Sequence, residues 1–147
     1  MAVIIRRSVV VALLLTSVAL SARELPPIEQ QIIKAVDLRR DAAIDLLARS
    51  INIQSATENH AGVKRVADLY AAELAPLGFE TKWIDQAPVG RAGHLVAEHR
   101  GTKGTRVLLI GHLDTVLQGE AYRRDGRRAF GSGSSDMKSG NAIIVEA

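Results

Sequence analysis

The chain has 147 residues, 47% of them hydrophobic and 24% charged, with a formal net charge of +3 and no cysteine. That is one domain's length with enough apolar content for a core, which excludes a disordered or low-complexity chain. Without cysteine there are no disulfides, so a metal site here must be built from histidine and carboxylate.

In chain order, Arg6 and Arg7 precede an apolar run from Ser8 to Leu20 that is too short to span a bilayer comfortably. Small residues at Ala19 and Ser21 permit cleavage before Ala22, so residues 1–21 read as a secretory signal peptide and 22–147 as the mature part. The expected address is exported, periplasmic or secreted, with no stable membrane anchor after cleavage. Residues 1–21 hold two arginines and no acid, so cleavage lowers the net charge from +3 to +1. A near-neutral chain gives no electrostatic reason to expect nucleic acid.

Pro26 and Pro27 suit a helix start. Ile28, Ile32, Ile33, Val36, Ala43, Ile44 and Leu47 then recur at helical spacing to about Arg49. Ser50 to Asn59 is polar and turn-like. His60 to Leu77 carries Val63, Val66, Ala67, Tyr70, Leu74 and Leu77 on one stripe, and Gly78 ends it. From Phe79 the period becomes two, which predicts a partly exposed strand, with a second over His94 to His99. Thr105 to Ile110 is continuously apolar from Val107 and predicts a third strand buried on both faces. Asp125-Gly126 predicts a hairpin turn, with Arg123, Arg124, Arg127 and Arg128 at a solvated tip. Asn141 to Ala147 opens a helix expected to pack on the sheet. This order predicts an α/β layered fold, a mixed sheet flanked by helices.

The chemistry gathers after the third strand. Open α/β sheets place ligands at the carboxyl ends of their strands. There stands Gly111-His112-Leu113-Asp114-Thr115-Val116, followed by Gly131-Ser-Gly-Ser-Ser-Asp136-Met-Lys-Ser-Gly140. His112 offers a neutral imidazole nitrogen, the commonest metal ligand. Asp114, two residues on, is free to grip the other ring nitrogen or the neighbouring solvent, and a carboxylate behind a ligating histidine fixes its tautomer. Asp136 sits among glycines that let the backbone bend close to an ion.

Together the two motifs resemble the twin signature of the zinc-dependent aminoacylase and carboxypeptidase family of metallopeptidases (glutamate carboxypeptidase-like). The resemblance extends more loosely over Ile28 to Ala147. It implies that His112 ligates one metal, that Asp136 bridges two, and that Asp114 orients His112 and supports catalysis. It further implies two zinc ions, with cobalt or manganese as alternatives, and a small peptide or N-acyl amino acid substrate whose amide bond is hydrolysed by an activated water. Family members also carry a downstream Glu-Glu pair, a further carboxylate, a distant histidine and an inserted lid and dimerisation domain. Glu146 is the one acid after Asp136 and follows it too soon to serve as the missing base. The expectation is thus a truncated, amino-terminal part of a di-zinc exopeptidase catalytic domain, inactive alone and dimeric only in full-length form. The alternative is a non-catalytic metal-binding or regulatory remnant of the same fold. A nucleotide-binding module is disfavoured, because the Gly131-x-Gly133 stretch lacks a Gly-Lys-Ser/Thr ending. His60, His94, His99 and Trp83 read as solvated or packing residues, and Lys138 as a surface lysine.

Overall fold

A computed structural model describes residues 25–147; the expected signal peptide lies outside the described residues. Helix α1 runs Pro27–Asn52 and α2 His60–Leu74. Strands β1, Glu80–Asp85, and β2, Gly93–Glu98, form one antiparallel pair. Strands β3, Arg123–Asp125, and β4, Arg128–Phe130, form another, and α3 spans Ser139–Glu146. Among the described residues no helix is long and apolar enough to cross a membrane.

Proline at the first position starts α1, with Glu29 in its first turn and Arg49 in its last, each suited to the helix dipole there. Only its carboxyl half is packed. Leu46, Ser50 and Ile51 are buried, whereas Ile28, Ile32, Ile33 and Val36 are 48–63% exposed. The expected apolar stripe over the first turns is real, but among the described residues nothing covers it. Helix α2 begins at Asn59, whose side chain accepts from the Gly62 amide at 3.0 Å. Its Val63, Val66, Ala67 and Tyr70 are buried as the stripe predicts. A 3-10 turn over Ala75–Leu77 follows, and Gly78 closes it at φ 83°, the left-handed conformation glycine adopts freely.

Leu46, Val66, Tyr70, Ala142 and Val145 make the core, with Leu47, Ile53, Leu69, Leu74, Leu95 and Leu113 packed against it. Helix α3 therefore packs on α1 and α2 rather than on a sheet, which corrects the expectation for it. Arg49 joins α1 to α2 through Glu73 at 2.7 Å, and Arg39 joins α1 to α3 through Glu146 at 3.4 Å.

The sheet differs most from expectation. Two separate antiparallel pairs stand where a mixed sheet was predicted, and the described elements make an α/β fragment. Residues 105–110 pair with no strand among the described residues, and Val107, Leu108, Leu109 and Ile110 are 61–80% exposed. A strand buried on both faces needs neighbours along its edges and a layer on each face. Neither is found among the described residues. What remains of parallel pairing is one bridge between Ala56 and Thr115. There the Thr115 amide donates to Ser55 O at 3.0 Å and the Thr57 amide to Thr115 O at 3.1 Å. The β3–β4 hairpin forms as predicted around Gly126 at φ 54°, with its arginines exposed.

Candidate metal centre

The bridge at Ala56 and Thr115 fixes the segment that carries both motif residues. Leu113 packs on the core, and alternation along an extended chain turns His112 and Asp114 the other way. His112 is held from behind as well, because Asn141 Nδ2, on α3, donates to its carbonyl oxygen at 2.6 Å. Gly111 lies so close to the Asn141 side chain that a Cβ there would collide with its amide oxygen.

Asp136 arrives from the other side. Gly131 takes φ 139° with its α-carbon against Ile51, where any side chain would clash, and Gly133 takes φ 78°. A wide turn over Ser134–Lys138 follows, tied by the Lys138 amide to Gly133 O at 3.0 Å, and the Asp136–Met137 peptide is cis. Ser132 exchanges bonds with Glu120, amide to carbonyl at 3.0 Å and hydroxyl from amide at 3.1 Å, which closes the loop's base.

The three motif residues thereby come together, although 24 positions separate His112 from Asp136. His112 Nε2 lies 2.9 Å from Asp136 Oδ1. On the other side of the ring, Nδ1 lies 2.9 Å from the Asp114 carbonyl and 3.3 Å from its carboxylate Oδ1. Asp114 thus grips the imidazole mainly through its backbone. Its other carboxylate oxygen accepts from Thr57 Oγ1 at 2.7 Å. A continuous row results: Thr57, Asp114, His112, Asp136. Partial burial pulls the His112 imidazolium down, but its bonds to Asp136 and the Asp114 carbonyl, with both acids' charges, leave its pKa raised above 6.5. Both ring nitrogens face oxygen acceptors, an arrangement the protonated ring satisfies.

The donors fit a zinc ion along one edge. Tetrahedral zinc with bonds of about 2.0–2.1 Å sets its ligand atoms roughly 3.3 Å apart. The 2.9 Å between Nε2 and Oδ1 is close to that separation. Asp136 is 83% exposed, so an ion can reach it. Among the described residues, no cluster of three or more histidine or acidic side chains is arranged to hold a metal. An open pocket of about 90 Å³ adjoins Asp136, lined by Thr115, Val116, Leu117 and the glycine loop. That is far below the roughly 300 Å³ at which ligand pockets begin, so the pocket by itself does not enclose a substrate.

Two further residues matter that the sequence reading missed or misplaced. Thr57 had no signal, since its role depends on a contact across 57 positions. Lys138 is not a surface lysine: it is 1% exposed, and its ammonium donates to Ser50 O at 2.8 Å and Ile53 O at 3.0 Å. Burial pushes its pKa down to about 8. His94 is exposed on β2, His99 is exposed beside Phe79 with the ring centroids 5.3 Å apart, and His60 is half-buried at the start of α2. Trp83 packs beneath Lys64, whose ammonium lies 5.4 Å from the ring centroid. None of these joins the row.

No family model matches the chain. Against curated proteins it is 28% identical over 146 residues to carboxypeptidase G2 of Pseudomonas sp. (strain RS-16), a match covering 96% of this chain and 35% of that protein. It is 36% identical over 114 residues to a Mycobacterium tuberculosis protein named for succinyl-diaminopimelate desuccinylase, covering 75% of this chain and 29% of the relative. The chain thus spans about a third of the length of the curated relatives it matches.

Proposed function

This chain is a relative of the aminoacylase and carboxypeptidase family over the stretch matched, and from that premise we propose that it carries part of the centre of a metal-dependent amide or peptide hydrolase. Its substrate is a small peptide or N-acyl amino acid, cut as a carboxypeptidase, other exopeptidase or aminoacylase would cut it. The observation that carries this reading is the 2.9 Å approach of His112 Nε2 to Asp136 Oδ1, with Nδ1 held by Asp114.

His112 and Asp136 would hold zinc, with cobalt or manganese as substitutes, and Asp136's second oxygen would serve a second ion. When bound, the metal polarises the scissile carbonyl and makes a water easier to deprotonate. The chain's own residues supply orientation. Asp114 keeps Nδ1 as the donor nitrogen, so that Nε2 is presented to the ion, and Thr57 keeps Asp114 turned toward the ring. Two protein ligands are fewer than the three typical of a catalytic zinc, and no side chain in the row is free to act as general base. On this reading the row by itself does not turn over substrate, and a working centre would need a further ligand and a base in addition to it. Export through residues 1–21 is part of the same reading. The alternative of a non-catalytic metal-binding remnant draws on the two-donor site.

Calorimetric titration of the purified chain with zinc tests the proposal. Weak binding, lost in His112→Ala and in Asp136→Ala, is expected, with no release of amino acid from N-acyl substrates. Tight binding indifferent to both substitutions would overturn the site, and zinc-dependent turnover would overturn the inactivity.

A further inference from the structure

Lys138 is the one lysine that the described core encloses, at 1% exposure, and no carboxylate pairs with it among the described residues. Burying an ammonium ion costs free energy that a methionine of similar length would not incur. What the charge gains is a pair of carbonyl oxygens at the carboxyl end of α1, Ser50 O and Ile53 O, where the helix dipole favours a cation. The lysine stem runs beneath the glycine loop: a Cβ on Gly133 would stand 3.4 Å from Lys138 Cδ. The Ser132–Glu120 bonds close the loop's base and the Lys138 amide ties its turn to Gly133 O, but these bonds do not reach the end of α1 as the Lys138 ammonium does. Asp136 is exposed, and its carboxylate bonds to His112 alone among the described residues.

We propose that Lys138 is a positioning residue, which pins the Gly131–Lys138 loop to the end of α1 and so holds Asp136 opposite His112. Its value for metal binding rests on the reading of His112 and Asp136 as ligands. The pinning of the loop does not.

The test uses the 147-residue chain carrying Lys138→Met, Lys138→Arg or, as a control, Val66→Ala. Val66 lies fully buried on α2, in the core and outside the metal row. Hydrogen exchange of the metal-free chain is followed peptide by peptide, and cobalt(II) is titrated separately. In Lys138→Met, residues 131–138 are expected to lose protection while α2 keeps its own. Cobalt affinity falls roughly 10-fold or more, as when partners behind a ligand are removed, and Lys138→Arg recovers part of both. Val66→Ala lowers Tm yet keeps cobalt affinity. Unchanged exchange over 131–138 in Lys138→Met would overturn the proposal. So would loss of protection throughout the chain, which would make Lys138 a folding determinant, or an equal cobalt loss in Val66→Ala. Should the unsubstituted chain bind no cobalt, the hydrolase reading fails, and the exchange result still decides the pinning.

Discussion

Thr57→Val removes one hydrogen-bond donor and almost no volume, so it isolates the support behind His112. Thr57 Oγ1 lies 2.7 Å from Asp114 Oδ2, while the backbone bond from the Thr57 amide to Thr115 O survives the change. A hydrogen bond to a charged acceptor contributes about 1.5–3 kcal/mol. The Asp114 side chain is 35% exposed, however, so water replaces part of the loss. About 1 kcal/mol is left, which corresponds to roughly 5-fold in affinity. Cobalt(II) titration of the variant should show a weakening of up to that size, and Tm should fall by only a few degrees, since the part-buried bond is already made without metal. Equal affinity in a variant that melts like the parent would refute the idea that Thr57 and Asp114 orient the imidazole.

Three other substitutions probe separate parts of the account. Gly111→Ala pushes a methyl group into the Asn141 amide and breaks the bond that holds the His112 carbonyl, so cobalt affinity should fall roughly 10-fold; an unaffected titration would contradict that close packing. Lys138, with a folded pKa near 8 against 10.5 when free, binds its proton less well folded than unfolded. Its contribution to stability therefore rises as pH climbs from about 8 to 10.5, by about 3 kcal/mol at most. Urea melts at pH 7.5 and 10 should show the parent gaining on Lys138→Met by up to that amount, and a pH-independent difference would count against a buried ammonium. Glu146→Gln breaks the ion pair to Arg39, whose side chain is 55% exposed, and should shift stability by no more than about 1 kcal/mol; a larger drop in a denaturant melt would assign α3 docking to that pair.

Features that depend on neighbours along the chain were legible in the sequence. Proline at the start of α1, the Val63 to Leu74 stripe, Gly78 as a stop and Gly126 in the hairpin each act within a few residues. The pairing of His112 with Asp136 was expected from residue type, spacing and glycine context together, and the two side chains do meet, at 2.9 Å. What failed was burial. Ile28 and Ile32 carry a helical period whether or not a partner covers them, and Val107 to Ile110 reads as a core strand whether or not neighbouring strands exist. Periodicity states what a segment can bury, and the rest of the fold decides whether it does so. Lys138 and Thr57 escaped for the same cause, since their partners, Ser50 and Asp114, lie 88 and 57 positions away. Neither pairing leaves a local trace.

The most direct measurement is anomalous diffraction at the zinc edge from crystals of the chain grown with zinc. The account predicts a peak bonded to His112 Nε2 and to an Asp136 carboxylate oxygen, with Asp114 still against Nδ1. A zinc peak elsewhere, or His112 and Asp136 turned apart with no ion between them, would contradict it.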